Sequence, residues 1–360
     1  MGGAGDARAH AAALVGLPAM TPLRLARLLH DTSPVEAWEA IRSGTHRSDP
    51  RHRFLRSARN TDPEQVGEAY ARAGVSILLP GTDGYPAVLA CDPGAPAVLF
   101  ALGRPGVVDH RPRVAIVGTR SPTPYGLQVA SEMSAELAGR GVVVVSGLAA
   151  GIDGAAHAGV VRVKEPSAAP PVAVAGTGLD VPHPSRNADL WAEVVSRGVV
   201  FSEVALGTPP LPSSLLTRSR LIAALSDVVV VVECHAGGES HYTVEAAARR
   251  SIQVCAVPGS VRSRASDGTN GLLVDGCVPV RDATDILVAL ELARAGAQRS
   301  GRITRGGRID GRDPSAAEQG DGQDERDSSD ARRPCGDRGD RDDGDDPRVF
   351  HAAAGRWSEG

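Results

Sequence analysis

Residues 142–157 read VVVVSGLAAGIDGAAH. Four valines suit a strand buried on both faces, and the small residues from Ser146 onward suit a tight turn that opens a helix. Such a turn aims backbone N–H groups and a helix N-terminus at one point, a common way of holding a phosphate. Similar β-branched runs occur on either side: VSILL, VAIV, VAVA, VVF, VVVVVE and VCAV, all between about 75 and 292, separated by helical stretches or loops. The alternation predicts an α/β fold with a mainly parallel sheet and flanking helices. Sheets of this kind bind ligands beyond the carboxyl ends of their strands, where the topology reverses. The segments directly after each valine run are therefore the ones to read for function.

The turn after VAIV is GTRSPTPYG, residues 118–126. Gly118 permits a sharp turn, Thr119 and Ser121 offer hydroxyls, and Arg120 offers a permanent planar charge suited to phosphate. No GxGxxG dinucleotide fingerprint and no GxxxxGK[ST] P-loop occurs, so no nucleotide cofactor is implied. In the opening stretch, Ser146, Gly147 and Gly151 shape the turn. Asp153 stands where the helix begins, as an N-cap, a partner for a sugar hydroxyl or a brace for the neighbouring loop. His157 is one helical turn further on, which leaves room for an Asp–His pair as well as for plain packing. In TPPLPSSLLTRSRLIAALSD, residues 208–227, Arg218 and Arg220 straddle Ser219 and are expected just before an apolar helix. In AGGESHYTVEAAARR, residues 236–250, glycines precede Ser240 and Thr243 at another helix start. After the strand ending in Val257, Pro258 and Gly259, Asn270 falls in a later loop.

These pieces do not assemble a nucleophile, base and oxyanion donors. HExxH and GxSxG are missing, and Asp153, Glu203 and Glu233 are too dispersed to form an acid–base pair. Binding is favoured over catalysis. The formal net charge of −4 gives no global attraction to nucleic acid, so DNA binding would need a local basic patch. Aromatic residues are only 3% of the chain, which leaves few rings for base stacking. The five cysteines (Cys91, Cys234, Cys255, Cys277, Cys335) show no CxxC spacing and fit reduced thiols in a cytoplasmic protein, with no metal site. No run of about 18 apolar residues is present, so no membrane span is expected.

Residues 1–60 are expected to form a small helical domain, because AAALVGLPAMTPLRLARLLH and VEAWEAI carry apolar residues at helical spacing. Its Leu-x-Gly-Leu-Pro-x-Met-Thr motif is similar to a helix-hairpin-helix, a module that contacts DNA backbone, although plain packing accounts for it as well. Residues 61–295 are the expected α/β domain. The segment 296–360 is Gly, Asp, Arg and Ser with almost nothing to bury, and is expected to be disordered.

Several motifs, in order, resemble the DNA-processing protein A family (DprA, also called Smf). GTRSPTPYG resembles its GSRxxSxYG turn, and SGLAAGIDGAAH its SGxAxGIDxxAH motif; AGTGLDVPHPSRN, SEVALGTPP, RSRLIAALSD and AVPGS continue the match. The resemblance implies an extended Rossmann-like core that forms a homodimer, binds single-stranded DNA in a basic pocket and helps to load the RecA recombinase during natural transformation. It places the phosphate pocket at Gly118, Thr119, Arg120, Ser121, Ser146, Gly147, Gly151, Arg218 and Arg220, supported by Asp153, Ser240, Thr243 and Asn270. Departures from the family pattern are Arg-Ser-Arg for its RNR triplet, Leu215 for a Phe, Ala150 for a frequent Arg, Ser251-Ile252 for a Gly-Arg, and Gly271 after Asn270. Glu239 places a negative charge where phosphate would be repelled. The winged-helix tail of many relatives is replaced here by the Arg/Asp/Gly-rich segment. GGESHYTVEA is also a loose echo of the PGGxGTxxE loop of phosphoribohydrolases of the LOG type, an enzymatic alternative, and a scaffold that has lost DNA affinity is a third.

Overall fold

The valine runs form the centre of a nine-stranded sheet in a computed structural model that describes residues 3–109 and 112–306. Five helices come first: α1 (Gly3–Val15), α2 (Pro22–Leu28), α3 (Pro34–Ser43), α4 (Leu55–Arg59) and α5 (Pro63–Arg72). Then follow β1 (Val75–Leu78), β2 (Leu99–Gly103), β3 (Arg113–Val117), α6 (Pro124–Gly139), β4 (Val143–Ser146), α7 (Ile152–Arg162), β5 (Val172–Ala175), α8 (Ala188–Arg197) and β6 (Val199–Ser202). The remainder is α9 (Pro212–Ala224), β7 (Val228–Val231), α10 (Ser240–Ala248), β8 (Gln253–Ala256), α11 (Asp267–Val274), β9 (Val278–Pro279) and α12 (Ala283–Gly306).

The strand order is β1-β2-β6-β5-β4-β3-β7-β8-β9. Pairing is parallel from β6 through β9, whereas β2 runs antiparallel to both β1 and β6. Every residue of β4, β5, β6 and β7 is buried, as expected for strands covered on both faces. Alternation decides which helices each strand residue meets. Ala115, Val117, Val143, Val145, Val229 and Val231 face Leu221, Ile222 and Leu225 of the α9 region. Their neighbours Val114, Ile116, Val144 and Val230 face Met133 and Leu137 of α6, Val160 of α7 and Ile286 of α12.

The N-terminal helices share a core with one end of the same sheet. Leu14, Trp38, Ile41 and Phe54 pack in one cluster with Phe100 of β2, Val200 of β6 and Trp191 of α8. The Leu-x-Gly-Leu-Pro-x-Met-Thr stretch is the turn between α1 and α2: Leu14 and Leu17 are buried, and the Thr21 hydroxyl accepts from Arg24 N at 3.3 Å to cap α2. At the other end, α12 continues to Gly306, past the expected boundary at 295. Its buried Ala283, Ile286, Ala289 and Leu290 anchor it to the sheet before the composition changes. The expectation of disorder from 307 onward falls outside the described residues. No helix among them is long and apolar enough to cross a membrane.

Candidate nucleic-acid interface

Two neighbouring strands, β3 and β7, send their connections to opposite sides of the sheet, so the crevice beyond their carboxyl ends is the topological switch point. The turn after β3 and the loop after β7 meet there. The Thr119 amide donates to the Glu233 carbonyl at 2.7 Å. Thr123 donates to the Glu233 carboxylate twice, from its amide at 2.8 Å and from its hydroxyl at 2.6 Å. Glu233 is 1% exposed, and a Cβ on Gly126 would collide with its carboxylate. The start of α6, which the sequence offers to a phosphate, thus holds the chain's own anion.

The opening motif behaves in the same way. Asp153 is buried in the first turn of α7, where the backbone amides of Gly147 and Ala149 favour its carboxylate form. The carboxylate thus faces the neighbouring loop, beside Gly147 and the Arg218 guanidinium. Burial pushes its carboxyl up from the usual range, against the pull of Arg218 and Arg120. Gly151, at φ +84°, lies so close to the Thr119 carbonyl and the Arg120 backbone that a side chain would push the two turns apart. A Cβ on Gly147 would sit 2.5 Å from the Asp153 carboxylate and 2.7 Å from the Arg218 guanidinium carbon.

Arg218 reaches this loop from α9. Its guanidinium donates to the Gly147 carbonyl at 2.5 Å and to Asp153 at 3.4 Å, and its side chain is only 9% exposed. Arg120 lies at the surface of the same place, with its side chain 39% exposed, and pairs with Glu239 from the loop after β7. The expectation for Glu239 was repulsion of phosphate; in the structure it also occupies the guanidinium that a phosphate would need. The Arg120 and Ala150 amides have no hydrogen-bond partner among the described residues, and Ser121 is exposed beside Arg120. His183, from the loop after β5, lies within the field of both arginines. Burial, then the fields of Arg120 and Arg218, hold its imidazole below the usual range.

The structure therefore brings together Thr119, Arg120, Ser121, Gly147, Gly151, Asp153 and Arg218. Gly118 packs beneath them against Ile152 and the Glu233 carbonyl. Other expected site residues lie elsewhere or point elsewhere. Ser146 is buried, and its hydroxyl donates to the Ile116 carbonyl at 2.6 Å. Arg220 donates to Glu203 at 2.5 Å and to the Gly94 carbonyl at 2.7 Å, near the Arg250–Asp92 pair. The expected helix start just after Arg220 is corrected: α9 begins at Pro212, so both arginines are inside it. Residues two apart on a helix project to nearly opposite sides, which is why Arg218 and Arg220 cannot serve one pocket. Ser240 and Thr243 are buried in α10. Asn270, expected in a loop, is in α11 and clamps the chain after β8, exchanging hydrogen bonds with the Gly259 amide and carbonyl at 3.2 Å each. Sequence reading had no means of assigning Glu233 to the start of α6, since the partners are 110 residues apart.

His157 makes no pair with Asp153, whose carboxylate is engaged by Arg218, Gly147 and Ala149. It is fully buried, and burial pushes its imidazole down to about 4 from 6.5. Below about 6.5 the unfolded chain takes up a proton that the folded chain refuses until about 4, so this contribution to stability is lost as pH falls through that window. Urea unfolding at pH 7 and at pH 4.5 is expected to show a drop larger by about 2–3 kcal/mol in the wild type than in His157→Leu. Equal drops would show that His157 is not buried neutral.

A family model described as DNA recombination-mediator protein A matches residues 76–291. A chain from Mycobacterium tuberculosis assigned as a DNA processing protein DprA is 38% identical over 279 residues, 73% of this chain and 70% of its own length. The X-ray structure of DNA processing protein A from Streptococcus pneumoniae superposes with a TM-score of 0.66 at 27% identity, covering 79% of this chain and 97% of that one. A structure of DNA processing protein A from Helicobacter pylori, whose description concerns its single-stranded-DNA-binding mode, gives a TM-score of 0.52 at 29% identity over 60% of this chain and 95% of that one. With a Rossmann-like sheet, the paired turns at its switch point and these matches, the chain belongs to the DNA recombination-mediator protein A family.

Proposed function

We propose that the chain binds single-stranded DNA by its phosphate backbone, without reading sequence, at the mouth formed by Arg120, Ser121, Ala150 and His183, and that it assists a RecA-type recombinase in DNA processing. The observation that carries this reading is Arg120: a half-exposed guanidinium above turn amides, with the buried Arg218 adding positive field from below. Arginine and amides grip phosphate oxygens and carry no base information. The family match and the strand-binding relative from Helicobacter pylori support the choice of ligand. Natural transformation is the setting that the family resemblance implies. A homodimer is part of the same reading. Val288 and Leu292 are exposed four residues apart on α12, an apolar face that a second copy would cover.

The phosphoribohydrolase alternative loses its support. Of the residues that echo that loop, Thr243 is buried, while Glu245 is on the exposed side of α10 and pairs with Arg249 at 3.6 Å.

Strand binding at this mouth has to displace Glu239 from Arg120. Glu239→Gln is expected to tighten binding of a labelled oligothymidine about two- to fivefold, the size of an exposed ion pair. A mixed-sequence strand should compete equally well for either protein. Weaker binding by the variant would place the strand elsewhere, and unequal competition would show that bases are read.

A further inference from the structure

We propose a second DNA-backbone surface on the N-terminal helical layer, formed by the arginines of residues 47–59. This stretch, RSDPRHRFLRSAR, carries Arg47, Arg51, Arg53, Arg56 and Arg59, all exposed, with Asp49 as its single carboxylate. Asp49 is turned inward. It is 7% exposed and accepts from the amides of Arg53 at 2.9 Å and Phe54 at 3.1 Å. His46, also buried, contacts the Leu28 carbonyl at 3.1 Å and accepts from the Ser48 amide at 3.1 Å. Phe54 and Ala58 bury the apolar side of the segment. The loop between α3 and α4 is therefore built from within, and what it presents outward is positive charge.

The clustering of unpaired arginines sets this surface apart from the rest of the described residues. Elsewhere, Arg72–Glu68, Arg140–Glu136, Arg249–Glu245 and Arg281–Asp285 pair four residues apart, and the exposed arginines without a carboxylate partner among the described residues, such as Arg162, Arg186, Arg264 and Arg294, are dispersed along the chain. In residues 47–59, Arg47 pairs with Asp31, and Arg59 donates to the Arg42 carbonyl at 3.2 Å. The guanidiniums of Arg51, Arg53 and Arg56 have no partner among the described residues. Three unneutralised guanidiniums within six residues, in a chain of net charge −4, run against its general balance. Their planar forks suit successive phosphates of a strand. Phe54 and Ala58 point inward and Leu55 is half-buried, so the segment exposes no large apolar side chain to insert into a lipid surface. Only the choice of DNA as the polyanion rests on the proposed function; the charge and its rigid support stand apart from it.

The test is a titration of labelled oligothymidine strands with full-length protein carrying Arg51→Glu, Arg53→Glu and Arg56→Glu together, and with the milder Arg→Gln triple variant as a control for folding. One strand has about 10 nucleotides, enough for a single binding groove, and the other is several times longer. On the long strand, affinity is expected to fall about tenfold or more and the salt slope to shrink by about 2, from about 0.7 per lost phosphate contact. Binding of the short strand should stay within about twofold, with unchanged thermal unfolding of the Gln variant. Unchanged affinity and slope on the long strand, where wild type binds it, would overturn the inference and leave the mouth at Arg120 intact. Equal losses on the two strands would also contradict a separate surface. Wild type binding neither strand would instead count against the proposed function.

Discussion

Arg120→Glu is expected to weaken single-stranded-DNA binding by about one to two orders of magnitude and to flatten its salt dependence by about one contact. It is expected to do this without unfolding the protein. Arg120 is 39% exposed and its visible partner, Glu239, is 53% exposed, a pair of the kind worth about 0–1 kcal/mol to stability. The substitution removes the one guanidinium at the mouth that a strand can reach directly and sets a second carboxylate beside Glu239. Anisotropy titrations with a labelled oligothymidine, together with thermal unfolding, separate the two effects. Wild-type affinity in the variant would remove the mouth from the account.

Arg218→Met should have the opposite profile, a large loss of stability before any question of binding. Arg218 and Asp153 have side chains 9% and 8% exposed, and the guanidinium also satisfies the Gly147 carbonyl. Deleting it leaves a buried carboxylate without its counter-charge, for which a cost of about 3–5 kcal/mol is expected. Adding Asp153→Asn should recover most of that loss, because the neutral amide removes the uncompensated charge. Denaturant unfolding of the two single variants and the double variant closes the cycle. Strictly additive losses would mean that the pair is not coupled.

The strands and turns were legible in the sequence because their determinants are local. Valine runs become strands whichever neighbours they take, and Gly147 and Gly151 mark places where a side chain would collide, with Asp153 and Arg218 at the first and with the Thr119 and Arg120 backbone at the second. The alternation of runs gave the parallel sheet, and the sheet carried the turns after β3 and β4 to adjacent positions at its carboxyl edge. What escaped was set at a distance. Nothing in GTRSPTPYG says that Glu233, from the far side of β7, will occupy the start of α6, or that Glu239 will meet Arg120. Both contacts exist because β7 pairs with β3, a choice of strand order with no local signature. The two arginines of Arg-Ser-Arg looked like one site because the helix was expected to begin after them. Pro212 at the first position of α9 starts it earlier, and helical geometry then sends Arg218 to Gly147 and Arg220 to Glu203. The antiparallel β2 was equally hidden, since LFALG reads as any short apolar run would.

The most direct test of the account is the binding of a labelled oligothymidine to the unmodified chain at low and at moderate salt. Saturable binding at low salt that weakens steeply as salt rises is expected, since phosphate contacts by arginine release counterions. No binding at low salt would contradict it, and would mean that Glu233, Asp153 and Glu239 have closed the anion sites of this fold to DNA.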